Sequence, residues 1–434
     1  MHLELEKNEN YRQFVSTTKL FLEYKSKSIP LCAAENVMSP FAKSALVSSA
    51  QEKYVMGGVL EYINDDNFIG GDKIYPYYEI VNSLCHRLFN SHYSDCRTLT
   101  GMNAITTLLM SLLNVGDTIA YSSPDCGGHA SIPDICHRLG LKVIELPYDY
   151  DSMDFDYAQI NQIIKSGQAD AILICTSDIV NNPQLNRLDK STRIPIIYDA
   201  TQTLGLIAGS AIENPFCFFT EDYPFILMGA THKTIPGPSC ALIMTQNIRL
   251  AQQIENKINP TYIRNTQMHQ KMSLILTLFE LEYYGKSYAK NTLSIAQKLA
   301  SILDNEGFNV LNKCNGYTHT HQIHITCSPE QMESFYNNCI YYNIALNFKT
   351  KKLFHNSGIR IGVQEISRYQ WQETDLLTLG NLLGILFKTP KIYNYAEESC
   401  FVQKIVDELC TKKNIGFTFQ IDEYTPILNE LFKD

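Results

Sequence analysis

The chain is predicted to be an α/β protein with a large domain built on a mostly parallel mixed sheet and a small C-terminal α+β domain. Three observations predict it. Short apolar runs alternate with helical stretches through the first two thirds of the chain. Most of these runs are apolar on both faces, the pattern of strands covered by helices above and below. The length, 434 residues, is too great for one small core and suits two packed domains.

The elements follow in order. Residues 11–28, "YRQFVSTTKLFLEYKSKS", carry apolar residues at helical spacing and predict an N-terminal helix. "IPLCAAENVMSP" reads as an extended segment leading into a helix. "AITTLLMSLLNVGD" is a mainly apolar helix closed by a turn. Strands are predicted at 118–123, 142–147, 171–177, 194–200, 225–230 and 240–245. From about residue 270 the pattern is helical through "LILTLFELEYYG" and "SIAQKLASILDNEG". Strands near "HQIHITC" and "GIRIGV" then mark the smaller domain. This divides the chain into an N-terminal arm and helix (1–40), a large domain (41–285), a small domain (286–390) and a helical appendage (391–434). No internal repeat or low-complexity linker interrupts it.

Composition narrows the function. The net charge is −9 and no basic run stands out, which argues against nucleic acid or an anionic membrane as partner. No apolar run approaches the roughly 20 residues that span a bilayer. The polar start "MHLELEKNEN" does not read as a signal peptide. The 13 scattered cysteines, never spaced C-x-x-C, read as reduced thiols of a cytoplasmic protein and offer no metal site.

Ligands of such sheets sit beyond the carboxyl ends of the strands. Ser177 follows "AILICT", Asp199 follows "IPIIY", and His232 and Lys233 follow "FILMGAT". Thr100 and Gly101 open a helix, whose N-terminal amides and dipole favour an anion. His129 follows Gly127 and Gly128, which would let the backbone approach a flat ligand. Arg360 lies between apolar residues, where a guanidinium needs an anionic partner. Singly, each has an ordinary structural reading: a solvated lysine, a helix cap, a core histidine. Together they are the parts that hold pyridoxal 5'-phosphate and an amino acid. A lysine amine forms the Schiff base, a carboxylate keeps the pyridine nitrogen protonated, and an arginine takes the substrate carboxylate in a two-pronged contact.

The segments "AENVMSP", "EKYVMGG", "TGMNA", "NVGD", "GGH", "YDATQTLGLIAG", "THKTIPGP" and "SGIRIGV" resemble the serine hydroxymethyltransferase family of fold-type I pyridoxal-phosphate enzymes (aspartate aminotransferase-like). The likeness spans roughly residues 30–385. "THKTIPGP", "YTHTHQIHI", "GIRIGVQ" and the C-terminal appendage look closest to its L-threonine transaldolase branch. The resemblance implies that Lys233 carries the Schiff base and that Asp199 partners the pyridine nitrogen. It implies that His129 stacks on the ring, and that Thr100, Gly101, Met102, Ser177, Gln202 and His232 help hold the cofactor. Arg360 and Glu35 would bind substrate. Tyr54 would act across a homodimer interface in a shared active site.

Several features depart from the family pattern. Met56 stands where an acid serves proton transfer in the folate-dependent reaction. Ala34 replaces a serine, and Gln202 replaces a titratable histidine. The cross-subunit glycine-rich loop has no clear match near "NPTYIRNTQ", Ser239 replaces an arginine, and "VLEYINDDNFIG" lengthens the loop after Tyr54. The leading expectation is Cα–Cβ cleavage or transfer on a small amino acid, as in a threonine aldolase or transaldolase with an aldehyde as partner. The alternatives are a folate-dependent hydroxymethyltransferase acting on serine or an α-substituted relative, a transaminase, racemase or decarboxylase on the same scaffold, and a noncatalytic descendant of the fold.

Overall fold

The computed structural model describes residues 5–54, 59 and 69–431. Met56 and most of the "VLEYINDDNFIG" insertion lie outside them. Seven strands form the central sheet: β1 Tyr93–Asp95, β2 Thr118–Tyr121, β3 Lys142–Glu145, β4 Ala171–Cys175, β5 Ile196–Asp199, β6 Phe225–Ala230 and β7 Ala241–Thr245. Their order is β1-β7-β6-β5-β4-β2-β3. The β6-β5-β4-β2-β3 run is parallel, and β7 lies antiparallel to both β6 and β1.

Every residue of β4, β5, β6 and β7 is buried, as an apolar run between two helical layers requires. The strand at Lys142–Glu145 differs from expectation. It forms the sheet edge, and Val143 is 45% exposed. Lys142, Val143 and Glu145 are all exposed, so "KVIELP" is not covered on both faces.

The register aligns Cys175 with Asp199 and Asp199 with Met228, so β4 and β5 end together and β6 runs two residues further. The segments that follow these ends open onto one crevice. Helix α1, Glu9–Lys27, has no buried residue, and Phe14, Leu20 and Phe21 stand exposed. Helix α2, Gly101–Leu112, begins at the same end of the sheet.

Helix α3, Met268–Asn305, runs unbroken for 38 residues, about 57 Å at 1.5 Å per residue. It contains both "LILTLFELEYYG" and "SIAQKLASILDNEG". Its residues up to Ala289 belong to the core of the large domain, and those from Ile295 to a second core. That second core packs against an antiparallel sheet in the order β8-β9-β11-β10: β8 Asn309–Val310, β9 Gln322–Thr326, β10 Asn347–Lys349 and β11 Gly358–Gly362. Ile29, Leu31 and Val37 of the N-terminal segment join it, as do Val402, Val406 and Leu409 near the C-terminus. Ile29–Pro30 pairs in parallel with Ile344–Ala345.

Candidate active site

The loop after β6 is closed by its own hydrogen bonds. Thr231 Oγ1 donates to Pro238 O at 2.6 Å, and the Gly237 amide donates to Thr231 O at 2.8 Å. A Cβ on Gly237 would sit 2.8 Å from Thr231 O, so "PGP" allows a turn that a larger residue would spread. Asn36 Nδ2 donates to the Lys233 carbonyl and, at 3.1 Å, lies within reach of Tyr288 Oη. The lysine backbone is therefore held by the loop and by the N-terminal segment.

Burial lowers the pKa of Lys233, with Asp199 opposing the shift and Arg360 adding to it. Gln202 is buried beside it. With its carbonyl oxygen turned to the lysine, Gln202 accepts from Lys233 Nζ at 3.0 Å and donates to Ala33 O at 3.2 Å. The buried carboxylate of Asp199 accepts from the Thr201 amide at 2.9 Å and from Cys175 Sγ at 3.2 Å.

His129 Nδ1 accepts from the Ser131 amide at 3.2 Å, which leaves the proton of the neutral ring on Nε2. Burial, then Lys233, lowers its pKa. Burial and Lys233 do the same for His232, whose buried Nδ1 lacks a partner among the described residues. Both rings are neutral at pH 7.

Thr100 caps α2 by accepting from the Asn103 amide at 3.1 Å. A Cβ on Gly101 would lie 3.4 Å from Ala230 Cβ, so this helix start packs against the end of the lysine's strand. Met102, in the first turn, is half-buried.

The glycines before His129 act differently from expectation. A Cβ on Gly127 would meet Asp178 O at 2.4 Å, and one on Gly128 would meet Ser122 O at 2.0 Å. They let the turn press against the chain's own backbone. Gly127 O accepts from the Ser177 and Asp178 amides at 2.7 and 3.0 Å, which fixes the His129 turn to the end of β4.

Arg360, from β11, reaches the same place. Its Nη1 donates to Ser177 O at 2.9 Å and to Asp178 Oδ1 at 2.8 Å, and Nη2 donates to Asn347 Oδ1 at 2.7 Å. The guanidinium therefore already has an anionic partner within the chain. Asp178 was not singled out in the sequence, although it follows Ser177 at a strand exit and the same rule would have found it. Lys349 and Lys351 also pair with it, at 2.8 and 2.7 Å. Nothing local in the sequence marks them. Burial drives the pKa of His321 and His324 down to about 3, so both are neutral here.

Two expected residues stand apart in the protomer. Glu35 has an exposed side chain, and the groups that feel its charge are Tyr24 and Glu365. Tyr54 is 44% exposed and lines a surface cavity of about 490 Å³ with Lys53, Lys73, Tyr77 and Met272.

These residues fit pyridoxal phosphate on their own chemistry. A lysine whose amine is eased toward neutrality, a buried carboxylate at the next strand end, an amide-bearing helix start packed against the lysine's strand, and a neutral imidazole share one crevice. The fold and this site define a fold-type I pyridoxal-phosphate enzyme, a transferase, and pyridoxal 5'-phosphate is its cofactor.

The family model described as serine hydroxymethyltransferase matches residues 8–383, and the chain belongs to that family. It is 28% identical over 377 residues to a serine hydroxymethyltransferase of Archaeoglobus fulgidus, covering 84% of each chain. It is 30% identical over 372 residues to one of Picrophilus torridus, covering 82% of this chain and 84% of the relative. Among solved structures, an L-threonine transaldolase from Pseudomonas fluorescens superposes with a TM-score of 0.88 at 20% identity, covering 100% of both chains.

Proposed function

We propose that the protein cleaves the Cα–Cβ bond of a small β-hydroxy amino acid such as threonine and passes the glycyl unit to an aldehyde. The observation that carries this reading is the convergence of Asp199 and Arg360 on Lys233, a carboxylate and a guanidinium close enough to act on the charge of one buried amine. The transaldolase that shares the fold over its whole length supports it.

In this reading Lys233 holds the cofactor covalently and Asp199 holds the proton on the pyridine nitrogen. The cofactor supplies an electron sink for the bond that breaks at Cα. The amides at the start of α2 bind its phosphate. Arg360 would take the substrate carboxylate, so that the amino acid is held at two fixed ends and one bond at Cα is selected for cleavage. His129 covers one ring face. His232 Nδ1, which lacks a partner among the described residues, would take a proton near Lys233.

The proposed assembly is a homodimer in which Tyr54 completes the site of the partner subunit. Exposed Val47 and Ile69, near Tyr54 in sequence, give apolar area for such a contact.

A second reading, folate-dependent hydroxymethyl transfer from serine, is favoured by the relatives, which bear that name. Incubating holoenzyme with threonine and benzaldehyde, and separately with serine with and without tetrahydrofolate, divides the two. A phenyl-bearing β-hydroxy amino acid detected by mass spectrometry supports transfer. Glycine formed only from serine and only with folate overturns it.

A further inference from the structure

The ion cluster at Asp178 carries more positive charge than the chain itself neutralises. Three cations, Arg360, Lys349 and Lys351, surround one carboxylate at 2.8, 2.8 and 2.7 Å. Among the described residues no second carboxylate forms an ion pair with any of them. His324, which packs alongside with its ring 4.5 Å from that of Phe354, is neutral and adds nothing to the balance. The cluster is desolvated: the Asp178 side chain is fully buried, and those of Arg360, Lys349 and Lys351 are 6, 16 and 20% exposed. Arg360 Nε is buried and without an acceptor among the described residues.

Two positive charges beyond the one that Asp178 balances are costly in such a place unless an anion joins them, and burial, with Arg360 and Lys351 adding to it, lowers the pKa of Lys349 accordingly. The α-carboxylate of an amino acid accounts for one. With the cofactor phosphate assigned to the amides at the start of α2, the other is left over. Its position is not remote from the chemistry, since Lys351 Nζ also donates to Gly128 O at 2.9 Å, next to His129. Both lysines reach in from the segment before β11, so they flank the arginine from the small-domain side.

We propose that Lys349 and Lys351 form a second anion subsite, which takes a carboxylate or phosphate carried by the substrate in addition to its α-carboxylate. The anion sits either on the side chain of the donor amino acid or on the acceptor aldehyde. The choice of probes rests on the Cα–Cβ transfer reading; the subsite itself does not.

The test has a binding arm and a turnover arm, both on holoenzyme. Titration calorimetry compares pairs matched in their chemistry: 4-carboxybenzyl alcohol with benzyl alcohol for the acceptor side, neither of which reacts, and L-aspartate with L-alanine for the donor side, both of which join the cofactor through the same α-amine. Turnover compares 4-carboxybenzaldehyde with benzaldehyde, threonine being the donor. The wild type should prefer the anionic member of one pair by about tenfold or more, the size of one charge-assisted contact. Lys349→Gln and Lys351→Gln should each reduce that preference, and the double variant should remove it. The side on which the preference is found identifies the source of the anion. Equal binding within both pairs, or a preference the double variant retains, overturns the subsite. Anion preference in binding without transfer to any aldehyde leaves the subsite standing and removes the transfer reading. Transfer without any preference does the reverse.

Discussion

Arg360 Nη1 donates to Asp178 Oδ1 at 2.8 Å across 182 residues of sequence, joining β11 of the small domain to the segment that leaves β4 of the large one. Both side chains are buried. The pair fixes the guanidinium where the two domains meet, and Ser177 O and Asn347 Oδ1 also accept from it.

Asp178→Asn should destabilise the protein by about 3–5 kcal/mol, because it leaves buried cations unpaired. The three cations hold the Asp178 carboxyl below its ordinary pKa. Its stabilising contribution is therefore full above the unfolded value, near pH 4, and fades as pH falls below that toward the lower folded value. Thermal melts should show a wide gap between wild type and variant at pH 7 that narrows as pH falls below about 4. A gap independent of pH would mean that the carboxylate charge does not contribute.

Arg360→Lys should raise the apparent KM for the amino acid strongly. One ammonium cannot reproduce a fork, and losing a charged contact costs about 1.5–3 kcal/mol, roughly ten- to a hundredfold. Steady-state kinetics with threonine measure it. An unchanged KM would move the carboxylate elsewhere.

Lys233→Ala should bind pyridoxal phosphate without a covalent link. Borohydride reduction followed by peptide mapping should label Lys233 in the wild type and no lysine in the variant. Because burial lowers its pKa, Lys233 of the cofactor-free protein should react with the aldehyde at a lower pH than an ordinary lysine does. Label on another residue would remove Lys233 from its proposed role.

Gln202→Leu deletes the acceptor facing Lys233 Nζ while keeping the volume close. An ammonium without that acceptor is harder to keep charged, at about 1–3 kcal/mol. The pKa of the free lysine should fall further, read from the pH dependence of the rate of cofactor capture. A rise, or no change, would show that the amide does not face the amine.

Folate should not be needed for threonine consumption. Met56 cannot donate or accept the proton that the family's acid handles, and Ala34 and Gln202 also differ. Met56→Glu alone should not create full hydroxymethyl transfer from serine. Robust folate-dependent cleavage of serine by the wild type would promote the second reading.

The sequence by itself determined six of the seven strands of the central sheet, all but the short β1, and which residues leave the ends of β4, β5 and β6. The apolar runs of β4, β5 and β6 are buried on both faces, and the polar residues that follow them emerge at the ends of these strands; this rule picks out Ser177, Asp199, His232 and Lys233. The motifs around them also carried the family. Only the tertiary structure decided what those residues meet. Sequence shows that Arg360, set among apolar neighbours, needs an anion, but any carboxylate could supply it; folding the small domain onto the large one selects Asp178 and adds Lys349 and Lys351. Gly127 and Gly128 read locally as room for a ligand, yet the space is filled by Asp178 O and Ser122 O. The domain boundary that a change of pattern suggested falls inside one 38-residue helix, because α3 serves two cores with a single hydrogen-bonded backbone. Periodicity is a property of neighbours in sequence, whereas charge compensation and close packing are settled between segments that only the fold brings together.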